Sequence, residues 1–477
     1  MKAPLSSIKS WALAVCLVLA LLLMPGRGMA QNNAANHWRN TPANTWFLMS
    51  MDIGRLMRIM EASADLRELA TRNNPDDPIA RMWAMGKLGL VMPYPMVFGA
   101  SAGTEGKGPK TLDANPALKD FIQAPPDFGM YFDLGNFPKE MIDEAMKEQN
   151  PSETQQQLVR KIIGMVPPVS ASMRFGQGSV TIDTTAYDKN VPANLEGKAL
   201  PADLLNVVPA NSIAAFKMCI NKKAMGDHVQ AQWNQIKGLI EEVAQEQAGI
   251  GFVELEAMIE AGLQESAGLT PDELMAIPKG DLVLALSGIG QGEFGEPAPS
   301  FLLGLSIADD PKLDKLLDKM EDQGLMDMLN GSGVKLVRKP GLLFLCSPDQ
   351  ERAIRRGRAA KPIAGARRQL LDANGISGFL GFDQIAKLAR QFEAPKPVQD
   401  TLAALDTILF TGSLKQGKQA YSVSLNFKDK QTNGLQQLME LAIKINPELL
   451  DQRPRAGANI IDEPARRQER DALQQNR

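Results

Sequence analysis

The sequence predicts an α+β protein: two tandem similar modules with largely antiparallel sheets packed by helices, the second carrying a helical insertion. Three observations predict it. An apolar strand, then an acid or amide, then an amphipathic helix recurs along the chain. A β-hairpin recurs at longer range, once in each half. Short turns join many strands, whereas a doubly wound parallel sheet needs a long crossover between each pair. At roughly 100–200 residues per domain, 477 residues provide for two to four domains.

The first element is a leader over residues 1–30. Lys2 and Lys9 form a positive region, Trp11 to Met24 is an apolar run, and Pro25, Gly26 and Gly28 break it. The run is too short for about 30 Å of hydrocarbon, and Gly28-Met29-Ala30 supplies the small residues a signal peptidase reads. Cleavage is expected between Ala30 and Gln31. Cys16 lies inside the apolar run rather than after it, which argues against a lipidated N-terminus. No later segment suits a membrane span, because the most apolar one, Leu88 to Ala100, contains Pro93 and Pro95. The expectation is export to the periplasm, with full secretion as the alternative and no transmembrane anchor after cleavage. Removing the leader leaves 49 basic against 55 acidic residues. That balance disfavours general nucleic-acid binding, which needs a strongly basic face.

The first module is expected over 31–190. Trp46 to Met51 leads to Asp52 and a helix with Leu56, Ile59 and Met60; Met130 to Phe132 leads to Asp133 and a helix with Phe137, Met141 and Ala145. Ala171–Phe175 and Ser179–Ala186, joined at Gly176-Gln177-Gly178, form its hairpin. A linker at 191–200 follows, and the second module spans 201–447. There Ile213 to Ile220 leads to Asn221, Phe301 to Ile307 to Asp310, and Phe379 to Phe382 to Asp383. Its helical insertion, about 224–277, shows one stripe of Trp233, Ile236, Ile240 and Val243 and another of Phe252, Leu255, Ile259 and Leu263. Thr407–Leu414 and Gln419–Phe427 form the second hairpin, and 448–477 is a polar tail. The five acids or amides at strand ends read as helix caps, each contributing roughly 1 kcal/mol, rather than as an assembled active site. Thr270 to Glu273 and Ser347 to Gln350 read as capping boxes with Pro in the first turn.

The segments Pro209–Asn221 (PANSIAAFKMCIN), Gly280–Gly288 and Pro299–Met320, with hairpins after Gly129–Asp133 and Gly378–Asp383, resemble an exported bacterial family catalogued only as a domain of unknown function, the forty-eight thirty-six type. The likeness spans most of the mature chain and is one of pattern rather than signature residues. It implies export and an internal duplication. Members are often lipoproteins, and this chain departs from them in lacking the lipidation signal. The family carries no known active site, so the likeness implies nothing about chemistry.

Histidine is nearly absent. His37 lies near the mature N-terminus and His228 on an expected helix surface, and neither has the context of a catalytic triad. Zinc sites built on several histidines are excluded by count, and there is no CxxC. Two carboxylates facing each other in a cleft would be needed for a hydrolase. Gly290, Gly292 and Gly295 match GxGxxG, but Pro297 and Pro299 follow where a helix should begin, so a hairpin is expected. Gly103 to Gly108 reads as a loop. Met49/Met51, Met57/Met60, Met82/Met85 and Met326/Met328 have spacings that copper(I) sites use, yet they lie on apolar stripes and read as core filler. Cys219 and Cys346 sit in apolar strands and read as buried free thiols, with a disulfide between them as the alternative. The dense basic run contributes Arg352, Arg355 and Arg356 to one helix face, a candidate anion patch. No catalytic, cofactor-binding or metal residue is predicted. The expected function is a non-catalytic envelope protein that binds or scaffolds another envelope protein or a lipid. A carrier for an apolar ligand is the alternative, and a carboxylate hydrolase ranks third.

Overall fold

Strands that alternate apolar and polar residues must share a sheet so that one face at a time is covered. The computed structural model describes residues 45–52, 96–101, 126–147, 152–248, 268–291, 297–308 and 311–445, apart from isolated positions within them, and a few helical positions at 55–59 and 257–265. The leader with Ala30 and Gln31, His37, Asp310, the Gly103–Gly108 loop and the polar tail lie outside the described residues.

The described strands are β1 (Thr45–Met51), β2 (Met96–Ser101), β3 (Phe128–Phe132), β4 (Val169–Gly176), β5 (Ser179–Ala186), β6 (Ala214–Cys219), β7 (Pro278–Gln291), β8 (Pro297–Ile307), β9 (Lys335–Lys339), β10 (Leu342–Cys346), β11 (Ile376–Gly381), β12 (Leu405–Lys415) and β13 (Lys418–Phe427). All thirteen join one sheet in the order β2-β1-β3-β4-β5-β13-β12-β11-β6-β7-β8-β10-β9. Every neighbouring pair is antiparallel. The molecule is therefore mixed helix and strand on a large antiparallel sheet. Both expected hairpins are present, as β4–β5 and β12–β13. The GxGxxG match begins inside β7, and β8 returns beside it as a hairpin.

The helices with described bounds are α1 (Lys139–Lys147), α2 (Glu153–Met165), α3 (Ala202–Asn206), α4 (Lys222–Ala248), α5 (Pro271–Ala276), α6 (Pro311–Asp322), α7 (Leu325–Gly331), α8 (Pro348–Arg356), α9 (Gly365–Ala373), α10 (Phe382–Gln391), α11 (Lys396–Ala404) and α12 (Gly434–Ile445). Caps explain several starts. Asp52 accepts from the Arg55 amide at 2.8 Å and Asn221 from the Ala224 amide at 3.2 Å. Thr270 and Glu273 close a reciprocal box on α5. Three expectations need correction. Asp133 caps a 3-10 turn at Leu134–Asn136, so the helix carrying Met141 starts only at Lys139. Asp383 lies inside the first turn of α10 and binds Arg367 at 3.0 Å instead of capping. Ser347 makes no cap: its hydroxyl donates to Asp349 at 2.6 Å and accepts from the Phe301 amide at 3.0 Å, which ties α8 to β8.

One face of the sheet, here the back, holds the main core. Ala215, Val283, Ala285, Leu302, Phe344, Cys346 and Phe379 pack beneath Leu204 and Leu205 of α3, Ile354 of α8 and Leu371 of α9. Each large apolar side chain buried there contributes about 1.5–3 kcal/mol. The front face is covered in separate patches. Val191 and Leu195 of the segment between β5 and α3 and Ala224 of α4 cover Ile376 and Leu414. Leu56 and the α12 residues Leu435 and Leu441 cover Phe175 and Val180. Ile277 at the end of α5 and Leu313 of α6 pack with Leu305 and Leu343.

Candidate functional site

Between those patches the front face carries a continuous apolar row. The register aligns Met51, Phe128, Met173, Ile182, Val423, Phe410, Gly378, Phe216, Leu284, Leu303, Leu345 and Leu336, one from each strand from β1 to β9 in sheet order. It is exposed on two stretches, Ile182 at 42% and Val423 at 39% on β5 and β13, and Leu284 at 45% on β7 with Leu286 and Ile289 beyond it, while Phe410 and Phe216 between them are half-buried and Gly378 is buried. Gly378 is the row's one position without a side chain. A Cβ there would meet the Ala215 carbonyl at 2.8 Å, and the Phe216 and Phe410 rings approach across it at 6.1 Å. Apolar surface left in water costs about 25 cal/mol per Å2, and a contiguous exposed patch of it marks an interaction surface.

The adjacent row on the back face has the opposite character across the centre. Ser172, Asp183, Ser422, Thr411, Ser377 and Lys217 lie side by side from β4 to β6, then Val283 and Gly304 continue into the apolar core. Arg174 pairs with Asp183 at 2.5 Å. Lys217 is fully buried, and its Nζ donates to the Leu371 carbonyl at 2.5 Å. That carbonyl lies in the last turn of α9, where a cation offsets the negative helix end. Burial pushes the Lys217 pKa below its ordinary value, against the pull of Cys219, Asp372 and Asp281. The Cys219 thiol donates to Asp281 at 2.9 Å, and the other oxygen of that carboxylate accepts from Ser306 at 2.9 Å. Burial pushes both Cys219 and Cys346 up to about 12, and neither is in a disulfide, so neither forms a reactive thiolate near neutral pH. Ser377 opposes Lys217, but both are sealed from solvent, which leaves no path for a substrate to reach them.

A cleft of about 780 Å3 opens at the far end of the β4–β5 and β12–β13 strands, lined by the end of α2, Asp133, Tyr187, Asp188, Gln232 and Gln235 of α4, and Lys418. Asp188 accepts from the Asn190 amide at 2.8 Å and from Gln232 at 3.4 Å, and the His228 Nε2 lies 3.8 Å from it. His228, expected on a helix surface, is thus buried at 9% exposure because it turns toward this carboxylate. Asp133 accepts from Tyr131, Asn136 and the Gly135 amide at 3.1, 2.9 and 3.0 Å. Both carboxylates in the cleft are therefore engaged in holding local structure. The lining mixes amides and charges with Met165, Val166, Pro167 and Pro168, and differs from the enclosed apolar pocket that a carrier requires.

The residues of the candidate anion patch lie on α8. On α8, Gln350 and Ile354 are buried against the sheet, and Arg352, Arg355 and Arg356 project from the opposite side. Arg355 pairs with Glu351 at 2.6 Å. Among the described residues no three His, Cys, Asp or Glu side chains are placed to hold a metal ion, and no helix is long and apolar enough to cross a membrane. Sequence reasoning missed the front row, the buried Lys217 and the Asp188–His228 contact. Each depends on which strands are neighbours; the only local hint was a lysine inside the apolar strand AAFKMC.

What the fold and its surfaces define is a mixed helix-and-strand protein on one long antiparallel sheet, with a partly covered apolar front and a filled, partly polar back. No protein-family model matches the chain, and no curated protein and no solved structure matches it.

Proposed function

We propose that this is an exported, non-catalytic cell-envelope protein that holds another envelope protein against the front of its sheet. The observation that carries the reading is the apolar row with its exposed stretches at Ile182 and Val423 and at Leu284. A periplasmic address rests on the leader and its expected cleavage after Ala30. The engaged state of Asp133 and Asp188 supports a binding protein over a carboxylate hydrolase, and the mixed lining of their open cleft weighs against an apolar-ligand carrier.

The same reading includes two similar modules. Strand order supports it: β2-β1-β3-β4-β5 approaches the middle of the sheet from one edge, and β7-β6-β11-β12-β13 approaches it from the other side. Matching β1 to β6, β2 to β7 and β3–β5 to β11–β13 superposes these orders without a break. The first strand of each set runs into a capped helix, at Asp52 and at Asn221. Eight antiparallel pairs between β5 and β13 would then join equivalent strands about a local two-fold. On this reading the extra length of the second module lies in β8–β10 with α6–α9 as well as in the 224–277 helices.

The experiment is a triple substitution, Ile182→Glu, Val423→Glu and Leu284→Glu. All three side chains are exposed, so the melting temperature should stay within a few degrees of the parent while a crosslinked envelope complex is lost. Recovery of the same complex from the triple variant would refute the front-face assignment.

A further inference from the structure

The edge of the sheet formed by β9 turns a run of basic residues into a continuous surface. Lys335 and Lys339 flank the buried Val337 on the back of β9, the side on which α8 packs. The Lys339 ammonium reaches the end of α8, lying 3.4 Å from where a Cβ on Gly357 would stand. Arg352, Arg355 and Arg356 face outward on α8, and exposed Arg358 and Lys361 continue the surface beyond it. The two acids of α8 are both engaged: Glu351 pairs with Arg355, and Asp349, itself exposed, accepts from the Ser300 and Ser347 hydroxyls. This concentration stands on a chain whose formal net charge is −3.

We propose that this face of α8 and β9 docks on a bilayer surface carrying anionic phospholipid. The argument is independent of the front-face reading and uses different residues. In protein interfaces arginine contributes alongside apolar and aromatic anchors in a desolvated centre. The outward face of α8 presents arginine without such an anchor, so it suits laterally mobile headgroups that require only charge and reach. Guanidinium groups also pair with phosphate through two parallel hydrogen bonds. Each basic residue near an anionic membrane raises partitioning about fivefold, and the effect fades within a Debye length.

The test is flotation of the purified mature chain with vesicles of phosphatidylcholine, with or without phosphatidylglycerol. Binding is expected only with the anionic lipid and should fall as salt rises. Arg352→Glu, Arg355→Glu and Arg356→Glu together should lower it by about a hundredfold or more. A control triple, Lys223→Glu, Lys387→Glu and Lys396→Glu, makes the same change in net charge at exposed positions elsewhere and should lower it far less. All proteins must show the parent melting temperature. Equal binding to neutral vesicles, an equal loss in the control triple, or binding to a soluble polyphosphate with none to vesicles would each overturn the proposal.

Discussion

Lys217 faces the buried side of β6 beside Cys219, where an alternating strand would otherwise place apolar residues. Its bond to the Leu371 carbonyl explains what it does there: it fastens the end of α9 to the sheet. The cost is desolvation, which lowers its pKa from 10.5. The unfolded chain thus holds more protons than the folded one, and stability rises with pH up to the ordinary lysine value. Lys217→Met keeps the volume and removes the charge. It should stabilise the protein at pH 7 by about 1–3 kcal/mol, with the gain shrinking at pH 9. Denaturant titrations at both pH values measure this. A variant that is less stable and keeps the parent's pH slope would show that the tether matters more than the charge. The raised cysteine values reduce stability only above about pH 9, so they leave the comparison at pH 7 untouched.

At the scale of elements, β11 owes its place to Gly378. Any side chain there collides with the Ala215 carbonyl of β6, and the gap allows Phe216 and Phe410 to meet over the backbone. Gly378→Ala should cost about 1–3 kcal/mol, read as a lowered melting temperature. Gly226 in α4 makes the contrast: nothing lies within 4 Å of a Cβ there, and Gly226→Ala should stabilise by about 0.5–1 kcal/mol. Elements of this kind were legible in advance. Apolar alternation located β1, β6, β8 and both hairpins, because period and turn residues are local properties. The helix caps were less secure, because a Ser or Asp near a helix start has other partners within reach. Ser347 chose Asp349 and the Phe301 amide of β8, and Asp383 chose Arg367. Burial pushes the Asp383 carboxyl up, yet Arg367 outweighs it and holds the pKa below its usual range.

At the scale of the molecule the sequence could predict antiparallel strands but not a single sheet of thirteen. Pairing β5 with β13 brings together residues more than two hundred positions apart, as Thr181 and Ser424 show with hydroxyls 3.1 Å apart. No local period carries such information. Only that register turns Ile182, Val423, Phe410, Phe216 and Leu284, scattered over five strands, into one surface. The basic patch was half visible for the same reason: Arg352, Arg355 and Arg356 share one helix, whereas Lys335 and Lys339 join them only through packing.

A photo-reactive residue placed at Val423, at Leu284, or at the exposed Lys396 on α11, and activated in living cells, bears most directly on how the sheet is used. One discrete adduct of the same size from Val423 and from Leu284, with none from Lys396, is the outcome expected of a docking face. Silence at both front positions, or the same set of adducts from all three, would contradict it.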